Sequence, residues 1–316
     1  MAGHSPFLIA LVVGNLVAFI ANQFLSLLGN TREFLGIETK LYPNTIGNIS
    51  DKFALEITPS GSTFSIWGAI YVWQAIWTIY AHINICRRAP DGYVYNSPAL
   101  LTATFFSVSI LNWFIVISWT FLWCWELVWA AFVFLALTAI SIYTLIGLSC
   151  KALAEHTETL IKQDRKKEIW LIRALVQNGL AFYGAWCTIA TLLNVATALT
   201  YGDHPKFDQS TSSTIALGIL TFELLVFFIS DLTILDRHTR YIFSEYIVVV
   251  IALSGSITKN WNPAKRNSIF TAVLLAMAAL CLVVKVVVML WRHFRGAQRQ
   301  KVFVPTTESK QDGGTA

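Results

Sequence analysis

Apolar residues run in eight long blocks, near 7–29, 63–86, 99–122, 127–149, 170–200, 213–235, 242–258 and 268–291, separated by shorter polar stretches. A bilayer core about 30 Å thick needs about 20 apolar residues per helical crossing. The blocks show no period-2 alternation, and backbone groups in lipid must pair within their own segment. The pattern therefore predicts an all-α, polytopic membrane helix bundle with about eight transmembrane helices. Residues 99–149 are too long for one crossing at about 1.5 Å per residue. The chain is expected to turn back within Trp123-Cys124-Trp125-Glu126. Arg173, at the start of the fifth block, predicts a helix that projects beyond the membrane core. The charged stretch 151–169 reads as a connector, with a helical form left open, and 292–316 as a flexible, basic-then-polar tail. The first block carries Asn15 and Gln23 and no basic lead-in, so it is expected to be a true span rather than a signal peptide.

Composition sharpens the class. The chain is 55% hydrophobic and only 13% charged, with a mean hydropathy of +0.58. Soluble domains carry about 25% charged residues. A soluble enzyme, a disordered chain and an ordinary nucleic-acid-binding module are excluded. Of the 23 Lys and Arg, fifteen fall on the amino-terminal side of the alternating topology and seven on the other, with Lys285 inside a span. The positive-inside rule then puts both termini in the cytoplasm and the 30–62 loop outside it. The sequon Asn48-Ile49-Ser50 lies in that loop, which makes Asn48 a candidate N-glycosylation site. The five cysteines include no C-x-x-C pair and read as small packing residues. The six histidines have no metal-ligand spacing, and no catalytic motif is present. No metal site, catalytic residue or required cofactor is expected; the residues leave enzyme activity open, with indoles present but no nucleophile constellation.

The aromatic residues carry most of the information: 12 Trp, 21 Phe and 10 Tyr. Interfacial belts account for Trp170, Trp261 and Trp291 at span ends. They do not account for Trp67, Trp73 and Trp77, or for the five indoles between Trp113 and Trp129. Those rings either pack helices or line a pocket for a flat ligand. Trp67, Tyr71, Gln74 and Thr78 share one helical face, as do Gly179, Tyr183, Trp186, Ala190 and Asn194. Asn112, Trp119 and Trp123 form a third stripe. A lone amide facing hydrocarbon costs several kcal/mol by alkane-transfer estimates, about 4–8, so these faces are expected to point inward. One such amide means only an interhelical bond; three aromatic–polar stripes in one bundle favour a cavity.

Two segments resemble a known family. The run from Thr58-Pro59-Ser60 through Phe64-Ser65-Ile66-Trp67 to Tyr71 is similar to the loop-to-second-helix signature of the tryptophan-rich sensory protein and translocator protein family. Phe182-Tyr183-Gly184-Ala185-Trp186 with Ala190 and Leu193-Asn194 is similar to its fifth-helix signature. Trp119-Thr120-Phe121-Leu122-Trp123 with Glu126 resembles the third-helix end of its bacterial branch. The W-x-P-P of the family is reduced here to Ile57-Thr58-Pro59, and Phe182 replaces its fifth-helix proline. The resemblance covers 1–200 and implies a five-helix, translocator-protein-like unit with a pocket capped by the first loop. Three additional helices (201–291) and the tail (292–316) follow. It also implies porphyrin- or sterol-like ligands, and Pro59, Phe64, Trp67, Tyr71, Trp119, Trp123, Tyr183, Trp186, Ala190 and Asn194 as ligand-binding candidates. A homodimer is a family-level expectation. Because the charges place the first loop outside the cytoplasm, a plasma membrane or endomembrane fits better than the mitochondrion.

Three ionisable residues fall inside spans and are candidates for function by default. Glu223 lies mid-span in the sixth block. Asp231 and Lys285 fall at similar depth, which allows them to pair. The expected function is a multi-pass membrane protein that binds a flat hydrophobic small molecule as sensor, carrier or buffer. The alternative is a proton- or ion-coupled small-solute transporter that uses Glu223.

Overall fold

The structure, a computed structural model, describes residues 3–34 and 37–302. All eight apolar blocks are helical. Helix α1 (Pro6–Thr31) begins where Ser5 accepts the Leu8 amide at 3.4 Å and Pro6 supplies a first turn without an N–H. It stops at Arg32, whose φ of 56° leaves the right-handed helix. A two-residue hairpin follows, Glu33–Phe34 with Ile37–Glu38. Then come α2 (Ile46–Lys52), capped by the Thr45 hydroxyl, a 3-10 turn at Gly61–Ser65, and α3 (Ile66–Cys86). A second small hairpin, Arg88–Ala89 with Gly92–Tyr93, leads toward α4 (Ala103–Cys124). The chain then reverses into α5 (Val128–Lys162) through Glu126, at φ 61°. The reversal thus sits at the residue where the apolar run is interrupted.

Helix α6 (Lys166–Leu171) runs through a π turn at Ile172–Gln177 into α7 (Asn178–Tyr201). The wider turn has a partner across the bundle. The Asn178 amide donates to Arg173 O at 2.9 Å and to Tyr241 O at 2.8 Å, and its Oδ1 accepts the Phe243 amide at 3.1 Å. The remaining elements are α8 (Gln209–Leu232), the short α9 (Asp236–Thr239), α10 (Ser244–Asn260) and α11 (Arg266–Val302).

Six of these helices are long and apolar enough to cross a membrane. Of the eight expected spans, α3 falls short because Trp, Tyr, Gln and His lower its hydropathy. Helix α10 falls short because its 17 residues reach only about 25 Å. Two boundaries also differ from the sequence reading. Helix α5 continues through most of the expected connector to Lys162. Helix α11 continues past 291 to Val302, so the first part of the expected tail is helical, while 303–316 lie outside the described residues.

Helix α7 is the axis of the bundle. It packs against α3, α5, α8 and α10, while α4 lies between α1 and α5, and α11 rests on α8 and α10. In the apolar window of the α6–α7 helix 78% of the residues are buried, against 22–44% in the other five crossing helices. The outer helices present bare aliphatic and aromatic faces, such as Val17 and Ile20 on α1 or Val283 and Val287 on α11. Such continuous apolar flanks suit lipid contact, and a soluble protein rarely exposes them.

The loops sort into two ends. Gly3, Asp91, Asn96, Ser97, Gln163 and Arg165 are linked by hydrogen bonds at one end. Trp170, Tyr241 and His293 meet there too. Among the described residues, Arg87, Arg165, Arg240 and Arg292 of the majority set lie at this end. The loop 32–62 lies at the other, with the α7–α8 and α10–α11 connections: the Tyr201 hydroxyl and the Gln209 amide both donate to Ala54 O, at 2.8 and 2.5 Å.

Candidate ligand pocket under the first loop

Beneath that loop a cavity of about 440 Å³ opens between α1, α2 and α3. A deeper recess of about 40 Å³ continues it toward α7. Phe64, Trp67 and Trp119 line both parts. Tyr71 lines the outer part, and Trp123, Trp186, Ala190 and Asn194 line the recess. The indoles are ordered. Trp67 and Trp119 stack at 6.0 Å with 24° between planes, and Trp119 and Trp123 at 6.3 Å with 20°. Trp186 meets Trp67 edge-on at 88°, and Phe64 meets Trp186 edge-on at 86°.

The polar groups explain which rings pack and which line space. Trp113 donates its N–H to Asn15 at 3.1 Å and Trp77 donates to Gln74 at 2.6 Å, while the Gln74 amide donates to Gly179 O at 3.0 Å. These two tryptophans are satisfied core residues. Trp73 is packing as well: its ring fills the space left by Gly179, where a Cβ would come within 2.7 Å. Asn112 bonds to Thr138 O and the Ser141 hydroxyl on α5, so it ties helices and does not face the cavity. In the recess, Trp119 donates to Asn194 Oδ1 at 3.2 Å. The indole N–H of Trp186 is buried with no protein partner. Buried donors are normally paired. Trp186 therefore offers an unused donor at the floor of the recess.

Two of the ten pocket candidates stand elsewhere. Tyr183 lies behind the lining, its ring 6.1 Å from both Trp67 and Trp113. Pro59 lines a separate small apolar cleft with Ile189, Leu193 and Leu253. Asn48 is exposed on α2.

The lid over this cavity is the segment from α2 to the 3-10 turn, and it is tied on both sides. From α4, the Trp123 N–H reaches Ile46 O at 3.3 Å, and Glu126 takes Lys52 at 2.5 Å and the Asn44 amide at 3.1 Å. From the last helices, Lys259 pairs with Asp51 at 3.4 Å and Lys265 with Glu56 at 3.2 Å. The Asn267 amide donates to Glu56 at 2.7 Å, the Asn260 amide to Thr58 O at 2.8 Å, and the Ser60 amide to Gly255 O at 3.0 Å. Burial raises the Glu56 carboxyl, but the bonds from Asn267 and Lys265 outweigh it and hold the group below the usual carboxylate range. Sequence reasoning missed Gly255, Lys259, Asn260 and Asn267. Their only signal was a polar cluster at a span end.

The intramembrane charges are placed apart from this cavity. Lys285 and Asp231 form a buried pair at 2.7 Å, 1% and 0% exposed. Thr239 and Tyr246 add hydroxyl bonds to Asp231 at 2.6 and 2.8 Å, and Lys285 donates to Thr239 O at 3.1 Å. Every charge there has a partner, which suits a structural tie between α8 and α11. Glu223 lines a different cavity.

No curated protein and no solved structure matches this chain. The protein-family model described as TSPO-like protein matches residues 10–289, across the first five long helices and the last three alike. A match of that extent, on a helical bundle with a buried aromatic cluster, shows that the chain belongs to the TSPO-like protein family.

Proposed function

We propose that this protein binds a flat, hydrophobic small molecule, porphyrin- or sterol-like, in the cavity between α1, α2 and α3, with one edge in the recess walled by α4 and α7, and acts as its sensor, carrier or buffer. The observation that carries the reading is the indole lining: Trp67, Trp119 and Trp123 in near-parallel planes, with Trp186 edge-on and its N–H unpartnered. A flat ring system inserted there gains offset or edge contacts of about 0.5–1.5 kcal/mol per aromatic pair beyond area burial. A ligand acceptor group at the recess floor gains the Trp186 donor. The volume of about 440 Å³ lies within the range of small-molecule sites. Gln23, Asn30, Asp51 and Lys259 give the mouth a polar rim that suits a ligand with a polar edge. Arg87, Arg165, Arg240 and Arg292 at the end opposite the lid support cytoplasmic termini, and a non-mitochondrial membrane is proposed with them.

The test is a titration of the purified protein in detergent with protoporphyrin IX and, separately, with a fluorescent sterol. Trp fluorescence is followed in wild type, Trp67→Phe and Trp186→Phe, and micelle-only blanks are subtracted. Saturable quenching by either ligand, weakened about two- to tenfold in each variant, is the expected result. Linear quenching by both ligands, unchanged by either substitution, overturns the reading and leaves the stacked indoles as packing.

A further inference from the structure

A second cavity lies on the far side of α7, between α5, α8 and α10, with a volume of about 100 Å³. Its walls are largely aliphatic and aromatic, including Tyr143, Ala185, Phe227 and Tyr246. Two carboxylates face into it, Glu223 from α8 and Glu245 from the first turn of α10. Glu245 is only 7% exposed, and no other residue hydrogen-bonds either of its carboxylate oxygens. Oε2 of Glu223 is also without one.

Among the described residues, the nearby cations Lys285 and Arg173 are already engaged. Lys285, the buried cation beside this site, is held by Asp231 and by Thr239 O. The Arg173 guanidinium lies over the Tyr241 and Trp170 rings, 4.1 and 5.0 Å from their centroids. A buried carboxylate without partner is costly, and one lining a cavity can be neutralised by what enters it. Two carboxylates set in hydrocarbon walls supply too few oxygens for a desolvated calcium or magnesium ion, which takes six or more. They suit an organic cation whose charged end sits between them in the cavity of about 100 Å³, while its apolar end extends through the opening along the lipid-facing flank. Tyr143 is exposed at the rim, so the cavity opens on the flank of the bundle, where an amphiphile in the bilayer meets it.

We propose that this cavity is a binding site for a small hydrophobic amine in its protonated form, with Glu245 and Glu223 as its counter-charges. The site is separate from the aromatic pocket, and the proposal does not rest on the reading of that pocket. The probe is tritiated 2-phenylethylamine, with protein in lipid nanodiscs and scintillation proximity as readout. Saturable binding is expected, reduced at least tenfold in Glu245→Gln and clearly reduced in Glu223→Gln. The neutral isostere 2-phenylethanol is expected to compete at least tenfold more weakly than unlabelled amine. Glu223 is only partly buried, so Glu223→Gln keeps the test decisive if Glu245→Gln fails to fold. Ala185→Leu, which fills the wall, gives a third variant expected to lose binding. Absence of saturable binding overturns the proposal. So does binding that Glu223→Gln and Ala185→Leu leave intact, or that the neutral alcohol displaces as well as the amine does.

Discussion

Substituting Gly255 by alanine tests whether α10 holds the lid shut. A Cβ built there comes within 2.0 Å of Thr63 Oγ1, 2.8 Å of its Cγ2 and 2.9 Å of its Cβ. Comfortable carbon contacts begin near 3.5 Å, so the loop must retreat by roughly 1 Å or more. Rotating the Thr63 side chain cannot clear the clash, because its Cβ is itself too close. Retreat strains the Ser60 amide bond to Gly255 O, 3.0 Å in the closed form, and drags Phe64 away from its edge contact with Trp186. Overpacking of this kind costs about 1–3 kcal/mol. At about 1.4 kcal/mol per factor of ten, ligand release should accelerate by about 5- to 150-fold. Helix propensity acts in the opposite direction, since Gly to Ala inside a helix stabilises by up to about 1 kcal/mol. Global unfolding should therefore change little while release changes greatly. The assay is a stopped-flow chase of bound porphyrin, with thermal unfolding measured in parallel. Thr63→Ala in the same chain removes the two side-chain atoms beyond Cβ and should restore slow release in part. Release from Gly255→Ala within twofold of wild type, or no recovery in the double variant, refutes the reasoning.

Two other perturbations follow from the same structure. Lys285→Met leaves Asp231 buried with only hydroxyl donors and should destabilise the bundle by about 3–5 kcal/mol, whereas Lys285→Met with Asp231→Leu should recover most of that loss. Unfolding in mixed micelles checks it, and a double variant as unstable as the single removes orphaned charge as the cause. Glu56 titrates lower when the lid is closed than when it is free, so its contribution is complete above the unfolded value of about 4.3 and fades as pH falls through the closed-state value. Ligand release should therefore quicken on acidification below pH about 4, and Glu56→Gln should remove that increment; identical pH profiles for the two proteins rule the linkage out.

Most of the crossing pattern was legible because its cause is local: six helices are long and apolar enough for lipid, and Glu126 interrupts the one block that is too long. The Asp231–Lys285 pair was legible too, because depth follows from counting residues along helices. The stripes of Trp67 with Tyr71 and of Trp186 with Ala190 and Asn194 were visible at helical spacing. Which indoles pack and which line space was not. That depends on where an amide from another helix ends up: Asn15 under Trp113, Asn194 beside Trp119, and none beside Trp186. The lid ties were invisible for the same reason. Asn260 meets Thr58 across 202 positions, and Asn267 meets Glu56 across 211.

Those distant ties give the last helices a physical role at the pocket. A loop held by α4 alone would rest on Lys52–Glu126, Asn44–Glu126 and the Trp123 and Trp125 indoles bonded to Ile46 O and Leu41 O. Exposed ion pairs contribute only about 0–1 kcal/mol each, and surface loops open at low cost. Helix α10 and the start of α11 instead hold the lid from its far edge through Gly255, Lys259, Asn260, Lys265 and Asn267. Two of those contacts are backbone carbonyls bonded from Asn260 and to the Ser60 amide, which salt does not screen. The same helix α10 carries Glu245 in its first turn and the lid contacts in its last two. The aromatic pocket and the carboxylate cavity lie on opposite sides of α7, yet both have α10 as a common wall or brace.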